Sequence, residues 1–296
     1  MALSRERVGE MYITLEALLW GAFPVLTVLS QHRLAPLWSL AFSTLCAAFF
    51  FAALVGIRRH WHELRNRTAL RDTLVMTLLL GVVYYVLFFV GLKYTSAGNA
   101  SIIALTETLF SFLFFHVWRK EHIPVAHILG ACLMLLGAAV VLYPNTKEVR
   151  MGDFLILAAG MVAPLGNLYT QRARKAISSE TIMWVRNALS APIIFIFAYV
   201  GQPSFSAVDF TASIPFLLAN GILVFGLSKF LWVEGIHRMS VTKANAISGL
   251  SPLVALVLSW LWLGMPPTGA QLASFLPLFV GMILLTRNQL PYVQPV

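Results

Sequence analysis

The chain has 296 residues, 59% of them hydrophobic and 11% charged, whereas soluble domains average about 45–50% apolar and about 25% charged. The net charge of +9 would by itself suit a nucleic-acid binder, but so apolar a chain leaves little length for a soluble module and reads as an integral membrane protein. The partners this predicts are a lipid bilayer and a small-molecule substrate, with no nucleic acid and with a monomer as the simplest assembly.

A membrane span needs about 20 mostly apolar residues. Ten such stretches run near 11–30, 36–57, 73–93, 98–118, 125–143, 152–171, 180–200, 212–236, 242–263 and 269–286. The first, MYITLEALLWGAFPVLTVLS, lacks a small-residue cleavage site, so it reads as a span rather than a signal peptide. It carries Glu16, Trp20 and Pro24, and the proline removes the hydrogen bond to the carbonyl of Trp20. Cys46 and Cys132 fall inside the second and fifth spans, where a thiol behaves as a small apolar residue. The third span places Tyr84, Tyr85 and Phe88 away from the interfacial belt where tyrosine normally sits, so these rings either pack between helices or line a cavity. The fourth, SIIALTETLFSFLFFHVW, carries Glu107 near its middle, and an acid there must face a cavity, find a partner or hold a proton.

Further along, Gly130 and Gly137 form a close-packing stripe on the fifth span, and Pro164 frees the carbonyl of Gly160 in the sixth. Arg186, Glu234 and Lys243 sit toward the inner interface and read as structural pairs or snorkelling side chains. Lys229 lies deeper, able to hold a substrate carboxylate or to pair with an acid, and Trp232 follows one turn later. Pro252 frees Ser248 in the ninth span. Pro24, Pro164 and Pro252 are thus candidate hinges, since interruptions in corresponding parts of two halves point to a midplane site.

Charge sorts the loops. With the N-terminus inside, fourteen basic residues fall on the cytoplasmic side and four on the other, so both termini are placed in the cytoplasm. Slid against itself by 144 positions, the chain matches at Gly91/Gly235, Ser96/Ser240, Ala100/Ala244, Ile103/Ile247, Leu109/Leu253, Trp118/Trp262 and Gly137/Gly281. The loop RRHWHELRNRTALR carries five arginines, whereas its counterpart GQPSFSAVDFTAS carries no basic residue. An odd number of spans per half inserts the second half upside down, as this reversed bias requires. The fold class predicted is all-α integral membrane, with ten transmembrane helices as two inverted five-helix repeats, 1–147 and 148–296.

No HExxH or GxSxG occurs, and GILVFGLSK has Leu227 where a phosphate-binding loop needs lysine. The reading is accordingly no enzyme, no cofactor and no metal site, with any pumping driven by a gradient.

The opening LLWGAFPVL and the segment GLKYTSAGNASIIALTETLFSFLFFHVWRKEHIPVAHILGACLMLLGAAVVL resemble the drug/metabolite transporter superfamily, EamA type, across essentially the whole chain. More narrowly, the chain resembles a bacterial aromatic amino-acid exporter of that family. The resemblance implies that spans 1, 3, 4, 6, 8 and 9 surround a central cavity, with 5 and 10 behind, and it points to Trp20, Tyr84, Tyr85, Glu107, Lys229, Trp232 and Ser251 as substrate contacts. Phe88 joins them as the symmetry mate of Trp232. The chain departs from the family pattern at Phe42, where an arginine is frequent and only its mate Arg186 fits, and at Met265, where the first half has Glu121. The function this implies is export of aromatic and other neutral amino acids across the bacterial inner membrane by alternating access. The alternatives are the same fold carrying another metabolite or a drug, or a non-transporting scaffold.

Overall fold

Lipid offers the backbone no hydrogen bonds, so a chain of this composition must satisfy its amides within helices or a closed barrel. The computed structural model describes residues 5–114, 124–142, 151–201 and 205–286, which are helical and contain no strand. They form α1 (Arg5–Gly21), α2 (Phe23–Gln31), α3 (Pro36–Arg58), a 3-10 turn at His60–Arg65, α4 (Arg67–Met76), a π-helical segment at Thr77–Tyr84, α5 (Tyr85–Lys93), α6 (Ala97–Ala104), α7 (Thr106–Phe112) and α8 (Val125–Leu142). Then come α9 (Met151–Arg174), α10 (Ser179–Gly201), α11 (Ala207–Leu218), a second π-helical segment at Ala219–Ser228, α12 (Lys229–Ile236), α13 (Val241–Ser248), α14 (Ser251–Leu263) and α15 (Gly269–Thr286).

Among the described residues seven helices are long and apolar enough to cross a membrane: Arg5–Gln31, Pro36–Arg58, Arg67–Lys93, Met151–Arg174, Ser179–Gly201, Ala207–Ile236 and Lys243–Leu263. The fifth and tenth sequence spans appear as the shorter apolar helices Val125–Val141 and Gly269–Leu285. The fourth continues past the described part of the chain, where Trp118, Glu121 and the basic pair Arg119 and Lys120 also lie. Large apolar side chains such as Phe49, Val208, Trp260 and Leu261 point outward, while Glu16, Asn99, Arg186 and Asn187 are buried. A bilayer stabilises that arrangement, because the solvent outside is apolar and polar groups find partners only within the bundle.

Element boundaries repeat. Helices α8 and α15 begin and end 144 positions apart, and both π-helical segments stop one residue before a helix whose start repeats at the same spacing. The identities have local causes. Ser96 and Ser240 are N-caps: their hydroxyls accept from the amides of Asn99 at 3.1 Å and Lys243 at 3.2 Å. Gly91 and Gly235 are points of close helix approach. A Cβ on Gly91 would lie 3.0 Å from the Gly152 carbonyl on α9, and one on Gly235 would lie 2.3 Å from Ile13 on α1. Gly130 and Gly137 bring α8 against α15, where a Cβ on Gly130 would meet the Gly281 carbonyl at 2.7 Å. The most extensive helix pairs are α8 with α15 and α3 with α10, each joining corresponding elements of the two halves.

Candidate functional site

Three helix breaks shape the centre. Pro24 follows the break at Ala22, where the amide of Leu26 resumes the ladder on the Ala22 carbonyl. Pro252 follows the break between α13 and α14, and Ser251 opens the new helix. The fourth span breaks at Leu105 with no proline. Its counterpart 144 positions on is Gly249, within the α13/α14 break. Pro164 behaves differently from the other two prolines: α9 continues through it unbroken. Two π-helical segments complete the design. Such segments widen the turn and redirect the side chains that follow, which here are Tyr84 and Tyr85 in one half and Ser228 and Lys229 in the other.

These elements line a central cavity with a water-accessible volume of about 70 Å³. Since one ordered water needs roughly 10–15 Å³ by this measure, it has room for a handful of waters. Of the residues singled out from sequence, Trp20, Tyr84, Tyr85, Glu107, Lys229, Trp232 and Ser251 line it together. Phe88 is not among its walls. Its side chain turns into the core, 1% exposed, packed 4.9 Å from the Phe23 ring and 5.7 Å from the Tyr84 ring, so it supports Tyr84 from behind. Helices α8 and α15 contribute nothing to the lining.

The polar groups form three units. In the first, the Tyr84 hydroxyl donates to Glu107 Oε1 at 2.9 Å. In the second, Glu16 is 1% exposed, with Lys229 Nζ 3.5 Å from its Oε1 and the Ser248 hydroxyl donating to Oε2 at 2.9 Å. The Lys229 ammonium lies 3.2 Å from the centroid of Trp20 and 5.8 Å from that of Trp232, so cation–π attraction reinforces its placement. Trp232 in turn donates its indole N–H to Asn167 Oδ1 at 2.9 Å, which satisfies the polar tip of a buried ring.

The third unit is Arg186, and it corrects the sequence reading. Rather than snorkelling at the inner interface, Arg186 is 2% exposed and faces the cavity. Its guanidinium carbon sits 5.4 Å from the Tyr85 ring centroid, and Nη2 donates to Asn187 Oδ1 at 3.3 Å. The bare face of Gly81 receives its stem, since a Cβ there would come within 3.1 Å of Arg186 Cγ. Glu16, left ambiguous by sequence, lies one helical turn before Trp20, and that spacing was the available signal. Arg186 was marked only by its fit to a frequent family arginine, a signal that gives no direction for its side chain.

On the side where the arginine-rich turn lies, the helix ends are tied by ions. Glu234 accepts from Arg174 at 2.8 Å, from Arg238 at 2.6 Å and from the Ser179 hydroxyl. Glu180 holds Arg58 at 3.2 Å and His60 at 2.9 Å. The Glu63 carboxyl is held below the usual carboxylate range: burial opposes this, but the hydroxyl and amide of Ser178, with Thr181 and His60, outweigh it. Burial, then the charges of Arg174 and Arg5, lowers His237 to about 4.

Comparison with known proteins gives the chain a family. The model of the EamA-like transporter family matches residues 7–143 and again 150–287. The uncharacterized transporter YoaV of Bacillus subtilis is 21% identical, over 83% of this chain and 85% of its own length. A probable terminal-alkyne amino-acid exporter of Streptantibioticus cattleyicolor is 28% identical over 70% of each chain. A solved crystal structure at 19% identity superposes with a TM-score of 0.69, covering 96% of both chains, a likeness of fold alone.

Proposed function

The chain belongs to the EamA-like transporter family, and from that premise we propose that it exports aromatic and other neutral amino acids across the bacterial inner membrane by alternating access. The observation that carries this reading is a partly buried acid, Glu107, held by Tyr84 in a cavity that Trp20, Tyr85 and Trp232 also line. An acid with no basic partner at ion-pair distance among the described residues is suited to an ammonium group, and the rings are suited to a flat apolar side chain. The amino-acid exporter of Streptantibioticus cattleyicolor among the relatives supports the same substrate class.

In this reading the family's two matched segments are inverted five-helix repeats, 1–147 and 148–296, that together supply ten spans with both termini in the cytoplasm. They rock about the central cavity. A cavity of about 70 Å³ must widen to admit an indole or phenyl group, and the breaks beside Pro24 and Pro252 would absorb that movement, while α9 moves as one piece through Pro164. Trp20, Tyr84, Tyr85, Trp232 and Ser251 are the substrate contacts, and Lys229 completes the wall from its pair with Glu16.

The test is counterflow of labelled tryptophan and phenylalanine in proteoliposomes, wild type beside Glu107→Gln, with and without a pH gradient. Wild type should exchange both, and the folded variant should lose at least about tenfold, the worth of one charge-assisted hydrogen bond. Gradient dependence decides proton coupling. Folded wild type that moves neither amino acid removes the substrate assignment.

A further inference from the structure

The four ionisable acids and bases that line the cavity are Glu16, Glu107, Arg186 and Lys229. Two of them neutralise each other, since Lys229 Nζ lies 3.5 Å from Glu16 Oε1. The other two form no ion pair among the described residues. Among the described residues Glu107 has no cation at ion-pair distance and Arg186 has no carboxylate. Arg186 Nε is buried with no hydrogen-bond partner at all. A buried guanidinium with an open donor is an unsatisfied group that a native structure retains only for a reason.

The tyrosine pair lies between these two open charges. Tyr84 bonds Glu107, Tyr85 lies under the Arg186 guanidinium, and the two rings meet edge to face with centroids 5.1 Å apart. We infer that Arg186 and Glu107 together form a receptor for a zwitterion: Arg186 takes the α-carboxylate of the substrate through Nε and an Nη, and Glu107 takes the α-ammonium. A guanidinium presents its donors in a planar fork that matches a carboxylate, which the point charge of a lysine does not. Lys229, the carboxylate ligand suggested by sequence, is already engaged by Glu16 and the Trp20 ring. The wall carries two acidic and two basic side chains, so a neutral amino acid offers a partner to each of the two that form no ion pair, whereas an amine or a carboxylic acid alone would serve only one. This assignment rests on the amino-acid reading above and makes it specific: recognition is of the backbone zwitterion, with the aromatic walls adding preference for the side chain.

The decisive experiment is competition in phenylalanine counterflow by the full chain in proteoliposomes, using phenylalanine, phenylalanine amide and N-acetylphenylalanine as probes. In wild type the amide, which lacks the carboxylate charge, and the N-acetyl compound, which lacks the ammonium, should each compete roughly 10- to 100-fold more weakly than phenylalanine. Arg186→Gln should erase the preference over the amide while retaining that over the N-acetyl compound, and Arg186→Lys should restore part of it. Glu107→Gln should do the converse. If the wild type accepts the amide as readily as phenylalanine, or if folded Arg186→Gln keeps its discrimination, the carboxylate assignment is overturned while phenylalanine export stands. If folded wild type exchanges no amino acid, the functional reading and this inference fall together. Should Arg186→Gln not survive purification, the wild-type amide comparison decides alone.

Discussion

At the end of its π-helical segment the first half of the chain presents Tyr84 and Tyr85, and 144 positions later the second half presents Ser228 and Lys229. The backbone device is the same and the chemistry is not. Phe88 turns into the core, whereas its mate Trp232 lines the cavity and bonds Asn167. Phe42 packs in an aromatic cluster, 4.5 Å from the Phe210 ring, whereas its mate Arg186 faces the cavity. What the halves share is what builds a helix: caps, glycine contacts and the break at Leu105 and Gly249. What they do not share is what meets a ligand. A duplicated scaffold needs equal geometry from both copies, but an asymmetric molecule in the middle needs different groups from each.

That contrast can be broken or sharpened by substitution. The largest effect belongs to the asymmetric part. Glu16→Gln leaves Lys229 in the cavity wall without its counter-ion and should cost up to about 3–5 kcal/mol, read as a drop in thermal unfolding temperature in detergent. Adding Lys229→Met should recover much of that loss. A double variant no more stable than Glu16→Gln would mean that the pair is not what holds the two helices. An intermediate and equal effect belongs to the symmetric part. Ser96→Ala and Ser240→Ala each remove an N-cap and should each cost about 0.5–2 kcal/mol; a loss confined to one half would show that the caps are not equivalent. The smallest effect is pH-dependent and belongs to one half alone. Because His237 is held near 4 in the folded chain, the unfolded state binds the extra proton between the ordinary histidine value and about 4. Stability therefore falls as pH drops through that window and levels off below it. His237→Gln should flatten that slope in unfolding measured from pH 7 to 4, and an unchanged slope would assign it to other groups.

Much of the arrangement was legible because it depends on composition and spacing. Glu107 declared itself as an acid midway along an apolar run, and the 144-residue repeat was visible in Ser96/Ser240 and Gly91/Gly235, residues that backbone geometry demands in both halves. The rings of Trp20, Tyr84, Tyr85 and Trp232 stood out by their depth. Arg186 did not. Its distance along the helix suggested an inner-interface position, but its direction is set by rotation about the axis and by the space Gly81 leaves, neither of which has a period in the sequence. The partnership of Glu16 with Lys229 was equally hidden, since it joins α1 to α12 across most of the chain.

Phe88 marks the boundary between the two kinds of information. The 144-residue offset nominates Phe88 as the mate of Trp232, and both follow a π-helical segment, but the Phe88 ring packs against Phe23 and Tyr84, contacts that no repeat specifies. The sequence by itself therefore determined that this is a membrane-embedded helical protein built from two similar halves, with an acid and a set of aromatic rings near its middle, because burial and repetition are properties of residue type and order. Only the tertiary structure decided which charges pair and which stay open, because that depends on helix rotation and on contacts between segments far apart in the chain.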